Sequence, residues 1–226
     1  MRSPSSWLPD DFFAVRTRVE ARTVSAIVAT AFVLVVVSSA VAWDGTVPAW
    51  EAAPLRWIVG WPDHLEPIMW VIQQVGVLMA PVIVGAIVAW RTRRAWHLLP
   101  FVLILPLKLS IEKAIIKQLV DRDRPFTSLG PDIEVRGPQL AGLSFPSGHA
   151  TTATATAVLL VAFLPRTWRP IPIVWAFGVS VARLYYGEHN VLDVAAGTAL
   201  GLAFAVVLWF SLLNREVEAP PQQGAG

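Results

Sequence analysis

Three stretches of the chain, residues 23–43, 67–90 and 194–214, contain no Asp, Glu, Lys or Arg and run for 21, 24 and 21 residues. A helix needs about 20 apolar residues to cross a hydrocarbon core of about 30 Å. In lipid the backbone must satisfy its own polar groups, so each stretch is expected to be a helix. Three further apolar segments are interrupted by polar residues. Residues 97–118 gain Lys108, Glu112, Lys113 and Lys117, residues 149–164 are rich in Ala and Thr, and residues 170–187 stay apolar as far as Arg183. Together the six predict an all-α polytopic membrane helix bundle with six transmembrane helices, in a single domain spanning 1–226. A charge inside a span is costly and marks a paired or a functional group, so the three impure spans are where chemistry is expected.

Shorter patterns frame these spans. Trp50, Trp57 and Trp61 share helical spacing, which predicts a short helix over 49–62 lying on the outer leaflet. Residues 1–22 form a cytoplasmic segment in which 9–22 is expected to be a short amphipathic helix. Residues 215–226, polar with Pro and Gly, are expected to be a flexible tail. Ala40-Val41-Ala42 resembles a cleavage site, but the preceding apolar run exceeds a signal-peptide core of about 7–15 residues, so the first span is expected to be retained. Pro100 and Pro106 predict kinks in the third span. Gly197 and Gly201 predict close helix contacts within one bundle rather than a dimer interface.

Charge placement gives an orientation. If the N-terminus is cytoplasmic, the inner pieces hold Arg2, Arg16, Arg18, Arg22, Arg91, Arg93, Arg94, Arg166, Arg169 and Arg215, which is 10 of 18 basic residues. The outer loops 44–66 and 119–146 carry four acids each. Both termini are therefore expected inside a plasma (inner) membrane. Composition agrees: 15% of residues are charged, against about 25% in soluble domains. The net charge of +2 gives no footprint for nucleic acid. Absence of Cys excludes a disulfide framework, an iron–sulfur cluster and a thiol nucleophile.

Three polar clusters fall on the outer side of this topology. Lys117 closes the third span and Arg124-Pro125 follows after six residues; an ammonium plus a forked guanidinium suits a phosphate. Pro146-Ser147-Gly148-His149 opens the fourth span, where a helix N-terminus offers free N–H groups to an anion. Gly148 lets the backbone come close, and Ser147 can cap the helix or donate to phosphate. Arg183 ends the fifth span, and His189 and Asp193, four apart, share a helical face. An Asp in that place can hold one imidazole nitrogen and leave the other free as a base or nucleophile.

Lys117-x6-Arg124-Pro125, Pro146-Ser147-Gly148-His149 and Arg183-x5-His189-x3-Asp193 resemble the three-part signature of the type 2 phosphatidic acid phosphatase superfamily. The likeness covers about 70–225. One position departs: Ala182 stands where the family often has Ser. The resemblance implies a two-step phosphoryl transfer without metal or other cofactor. His189 would attack phosphorus, Asp193 would orient it and His149 would protonate the leaving group. Lys117, Arg124, Ser147, the Gly148 amide and Arg183 would bind the phosphoryl oxygens. The substrate and partner implied is a lipid phosphate in the bilayer: an isoprenyl diphosphate, phosphatidic acid, phosphatidylglycerol phosphate or a phosphorylated prenyl sugar. The outer loop 126–145, with Asp132, Glu134 and Arg136, is a candidate for head-group contact.

Other uses of these groups are less economical. A metal held by two His and an Asp is disfavoured by the surrounding cations Lys117, Arg124 and Arg183. A phosphotransferase would keep the site and replace water by a hydroxyl acceptor. A non-enzymatic transporter or scaffold has no need of His189, Asp193 and His149 together.

Overall fold

The computed structural model describes residues 12–15, 17–131, 133–137 and 142–217, and every regular element among them is helical. The first is α1 (Ala21–Ala42), preceded by chain without regular structure at the described residues of 12–20 rather than by the amphipathic helix expected over 9–22. That chain is held by tertiary contacts. Val19 exchanges two hydrogen bonds with the Asn214 amide, and the Trp209 indole and Arg169 guanidinium both reach Thr17. Satisfying its backbone this way removes the incentive for a helix.

Next come α2 (Ala49–Val59) and α3 (Glu66–Gln73). α2 covers most of the expected 49–62 helix but ends before Trp61: Trp50 and Trp57 are exposed, while Glu51, Leu55 and Val59 face inward. The stretch 67–90 is not one straight helix. α3 and α4 (Ala80–Thr92) meet at 69°. Gly76 stands at the break, and a Cβ there would lie 2.9 Å from His149 Cβ and from Val179 Cγ1. The bend therefore lets α3 close over the end of a neighbouring helix that only a glycine can approach.

The first impure segment, 97–118, holds α5 (Leu99–Leu107), a π-helical stretch Lys108–Ile116 and the start of α6 (Lys117–Val120). Pro106 lies inside α5 and lacks a donor, and the wider i→i+5 ladder follows directly. The wider turn changes which residues share a face. Glu112 is buried, whereas the neighbouring Lys113 is exposed.

A short α7 (Pro125–Leu129) lies in the loop between α6 and α8. The bundle closes with α8 (Gly148–Val161), α9 (Pro170–Tyr185), α10 (Val191–Leu208), a π-helical turn Trp209–Leu213 and α11 (Asn214–Val217). α10 is central and α1 peripheral: 61% of the apolar window of Val191–Glu216 is buried, against 17% for α1. On α10, Cβ atoms at Gly197 and Gly201 would lie 2.4 Å from the carbonyl oxygens of Ser147 and Thr151, so the glycines serve α8 contact within the bundle. The Thr151, Thr152 and Thr156 hydroxyls bond to carbonyls one turn back, which satisfies them in an apolar interior.

Among the described residues, two helices, Ala21–Ala42 and Val191–Glu216, are long and apolar enough to cross a bilayer, and the bent pair adds a third crossing if it acts as one span. α8 and α9 are apolar but shorter, at 14 and 16 residues. Large exposed side chains such as Phe32, Trp43, Ile83 and Phe177 form an apolar exterior suited to lipid. The expected flexible tail begins inside α11, where Glu216 bonds to Arg94 and, at 2.9 Å, to buried His97. Residues 218–226 and Asp132 lie outside the described residues.

Candidate active site

The three clusters, distant in sequence, meet at one end of the bundle. Lys117, one turn before the end of its helix, donates to the carbonyls of Leu143 (3.0 Å), Ser144 (3.3 Å) and Pro146 (2.8 Å). Its ammonium thus ties down the loop that leads into α8. Ser147 caps α8 in extended conformation, and its N–H donates to the Asp193 carbonyl at 2.9 Å. This joins the start of α8 to the start of α10. His149 follows in the first turn of α8 and lines a cavity of about 440 Å³ with Arg183, Tyr186, Glu188, Gln73 and Arg136.

The turn between α9 and α10 carries His189. Asp193, fully buried, accepts the Asn190 N–H at 2.7 Å through Oδ2 and the Arg122 guanidinium at 3.0 Å through Oδ1. Its Oδ2 lies 3.6 Å from His189 Nδ1, beyond a hydrogen bond but correctly aimed. Gaps of this kind in a substrate-free site commonly close when substrate binds. Burial first, then the charges of Arg183, Lys117 and Arg124, hold the His189 imidazole well below the ordinary histidine range. It is therefore neutral at pH 7, and a proton on Nδ1, the nitrogen that faces Asp193, would leave the lone pair of the remote nitrogen free.

Arg124, just before α7, and Arg183, near the end of α9, both reach Glu188. Arg124 donates to the carbonyls of Gly142 (3.1 Å) and Glu188 (3.0 Å). Arg183 donates to Gln73 Oε1 at 2.6 Å and pairs with Glu188. Ser147 Oγ, Arg183 Nε and His189 Nδ1 are buried without a hydrogen-bond partner. Orphaned polar atoms are rare in folded proteins. Two possible donors, Ser147 Oγ at the start of α8 and Arg183 Nε at the end of α9, are thus left open for an anion with several oxygens, whereas the open His189 Nδ1 faces Asp193.

Several contributors escaped the sequence reading. Arg122 is fully buried and bonds both oxygens of Glu51 (3.0 and 2.7 Å) as well as Asp193, and Glu51 also accepts the Leu192 N–H at 2.9 Å. Burial opposes the charge of Arg122, but its bonds to Glu51 and the field of Asp193 outweigh that and raise its pKa. In sequence, Glu51 and Arg122 are merely outer-loop charges. Gln73 lies in a charge-free stretch with no signal of its own. Glu188 adjoins His189, and that adjacency is the one available clue. Of the loop residues weighed for head-group contact, Arg136 reaches the cavity. It is otherwise committed to the carbonyls of Val59 (2.7 Å), Tyr185 (3.1 Å) and Trp61 (3.1 Å) and to Asp63. Glu134 supports it at 3.2 Å.

Comparison with known proteins fits this geometry. The family described as the PAP2 superfamily has a sequence model that matches residues 96–216, more than half of the chain. The chain belongs to the PAP2 superfamily. PAP2 relatives include the decaprenylphosphoryl-5-phosphoribose phosphatase of Mycobacterium tuberculosis H37Rv, 34% identical over 126 residues that cover 56% of this chain and 66% of the relative. The undecaprenyl-diphosphatase of Sulfolobus acidocaldarius is 31% identical over 140 residues, covering 62% and 63%. This PAP2 chain thus spans just under two thirds of the length of both. The crystal structure of a transmembrane PAP2 type phosphatidylglycerolphosphate phosphatase from Bacillus subtilis superposes with a TM-score of 0.66 at 21% identity, over 84% of this chain and 97% of that one. LpxE from Aquifex aeolicus gives 0.54 at 22%, over 71% and 95%. At these identities the two structures establish a shared PAP2 fold.

Proposed function

We propose that this protein is an integral membrane lipid phosphatase that crosses the plasma membrane six times, with both termini in the cytoplasm and its site at the outer face. The observation that carries the reading is a buried, neutral His189 whose Nδ1 faces Asp193, set in the field of Arg183, Lys117 and Arg124. Phosphoryl transfer requires positioning and charge stabilisation of three equatorial oxygens, and these groups can supply both.

In the proposed sequence, the His189 nitrogen remote from Asp193 attacks phosphorus. A P–N bond forms, the P–O bond to the leaving group breaks, and His149 gives that oxygen a proton. Water then attacks the phosphohistidine and His149 takes its proton. The P–N bond breaks, and inorganic phosphate leaves. Arg124, Arg183, the Ser147 hydroxyl and the Gly148 amide hold the phosphoryl oxygens. Lys117 acts chiefly through the backbone it ties down, while adding its field. The substrate is a phosphomonoester or diphosphate on a lipid. The relatives' names support a phosphorylated prenyl sugar or an isoprenyl diphosphate first, with phosphatidic acid and phosphatidylglycerol phosphate as further candidates.

The test is phosphate release from a panel of lipid phosphates with EDTA present. Activity is expected to survive chelation, to be blocked by vanadate and to vanish in His189→Ala. Full activity in that variant overturns the nucleophile assignment, and strict loss on chelation overturns the metal-free reading. Label moving to a lipid alcohol instead of into free phosphate identifies a transferase.

A further inference from the structure

Glu188 is a buried carboxylate for which this mechanism has no use. Its position is fixed by the backbone. Gly187 adopts φ +65, and a Cβ there would lie 2.5 Å from the Glu134 carbonyl oxygen, so the turn is pressed against the outer loop. The Glu188 side chain is then only 8% exposed and lines the cavity beside His149 and Arg183. A single oxygen, Oε2, faces both guanidinium groups: Arg183 bonds to it directly, and Arg124 stands 3.5 Å away. Arg124 also bonds to the Glu188 backbone carbonyl at 3.0 Å.

Two guanidinium groups from different elements that converge on one oxygen offer what a phosphoryl oxygen requires. Here a carboxylate occupies that place. Without an anion, the two guanidiniums would repel each other at low effective dielectric. With a phosphate bound, Glu188 would add a negative charge beside it. Both cannot hold the same donors. We propose that Glu188 is an internal anion that keeps the seat of the phosphoryl group, is displaced by substrate and returns to help expel inorganic phosphate. Glu188 would then set phosphate affinity and the rate of product release while leaving the bond-breaking groups unchanged. The inference rests on the phosphatase reading of this site.

The experiment compares the full-length protein in detergent as wild type, Glu188→Gln, Glu188→Asp and Glu188→Ala. Inorganic phosphate binding is measured by calorimetry, turnover by lipid phosphate hydrolysis and folding by thermal denaturation. Removing a competing charge-assisted contact should tighten phosphate binding about tenfold in Glu188→Gln. KM and the phosphate inhibition constant should fall together with it, while kcat falls because product leaves slowly. Glu188→Asp retains the charge but withdraws it by one methylene, so its affinity should lie between those of wild type and Glu188→Ala. A folded Glu188→Gln or Glu188→Ala that binds phosphate no tighter than wild type overturns the proposal. Should Glu188→Gln fail to fold, the order of wild type, Glu188→Asp and Glu188→Ala decides the same question. If the affinities follow the expected order but no lipid phosphate is hydrolysed, Glu188 remains a competitor for an anion seat and the phosphatase reading, with the role in product release, fails.

Discussion

Arg122 holds two carboxylates, Glu51 and Asp193, and all three side chains are fully buried. Removing one member of such a group strands charge in the interior, at a cost of about 3–5 kcal/mol. Arg122→Met is therefore expected to lower the melting temperature sharply and to reduce turnover, because Asp193 loses its anchor. Adding Glu51→Gln should recover part of the stability but not the turnover, a pattern readable by thermal denaturation and phosphate release. His189 makes a prediction in pH. Its folded pKa lies below the ordinary 6.5, so the unfolded chain takes up a proton that the folded chain refuses. Stability from this residue is complete above pH 6.5 and is lost as pH falls, by about 1.4 kcal/mol per unit until the folded pKa is reached. His189→Gln should show an acid destabilisation shallower by that slope. The residues proposed for chemistry were legible because motif spacing marks them in a chain with few charges. Their supports were not: Glu51 and Arg122 stand 71 positions apart, and no periodicity links them.

At the scale of elements, α8 and α10 show how an apolar bundle can be both tight and precise. Without a hydrophobic drive between helices in lipid, close approach depends on small residues. Gly197 lies against the Ser147 carbonyl, at the anion-facing end of α8, and Gly201 lies one turn deeper, against Thr151. An added methyl at either position should cost about 1–3 kcal/mol through overpacking. The two variants should differ in function. Gly197→Ala displaces the residue that caps α8 and should lose more kcat/KM than Gly201→Ala at similar stability; equal losses would sink the link between this contact and the site. Such contacts were foreseeable from the Gly-x-x-x-Gly spacing. The π-helical stretch after Pro106 and the 69° bend at Gly76 were not. Apolar runs specify a helix without specifying its ladder, and a bend toward a neighbour depends on which neighbour is there.

For the whole molecule, orientation is the open physical variable, and charge bias argues for it independently of the site. The loop with Arg124 and α7 belongs outside if the 10 basic residues counted as cytoplasmic are inside. The chain has no Cys, so one introduced thiol reports one position without background. Thr127, in α7, and Thr167, in the turn between α8 and α9, are both exposed and lie on opposite sides of the proposed membrane. In intact cells an impermeant maleimide should label Thr127→Cys, whereas Thr167→Cys should react only after permeabilisation. The reverse pattern would place the site in the cytoplasm. It would leave the geometry of His189, Asp193 and the two arginines untouched but change which leaflet can present the lipid phosphate. The labelling result therefore selects the pool of substrates: lipids whose phosphates face outward if Thr127→Cys reacts first, and cytoplasmic-leaflet phospholipids if Thr167→Cys does.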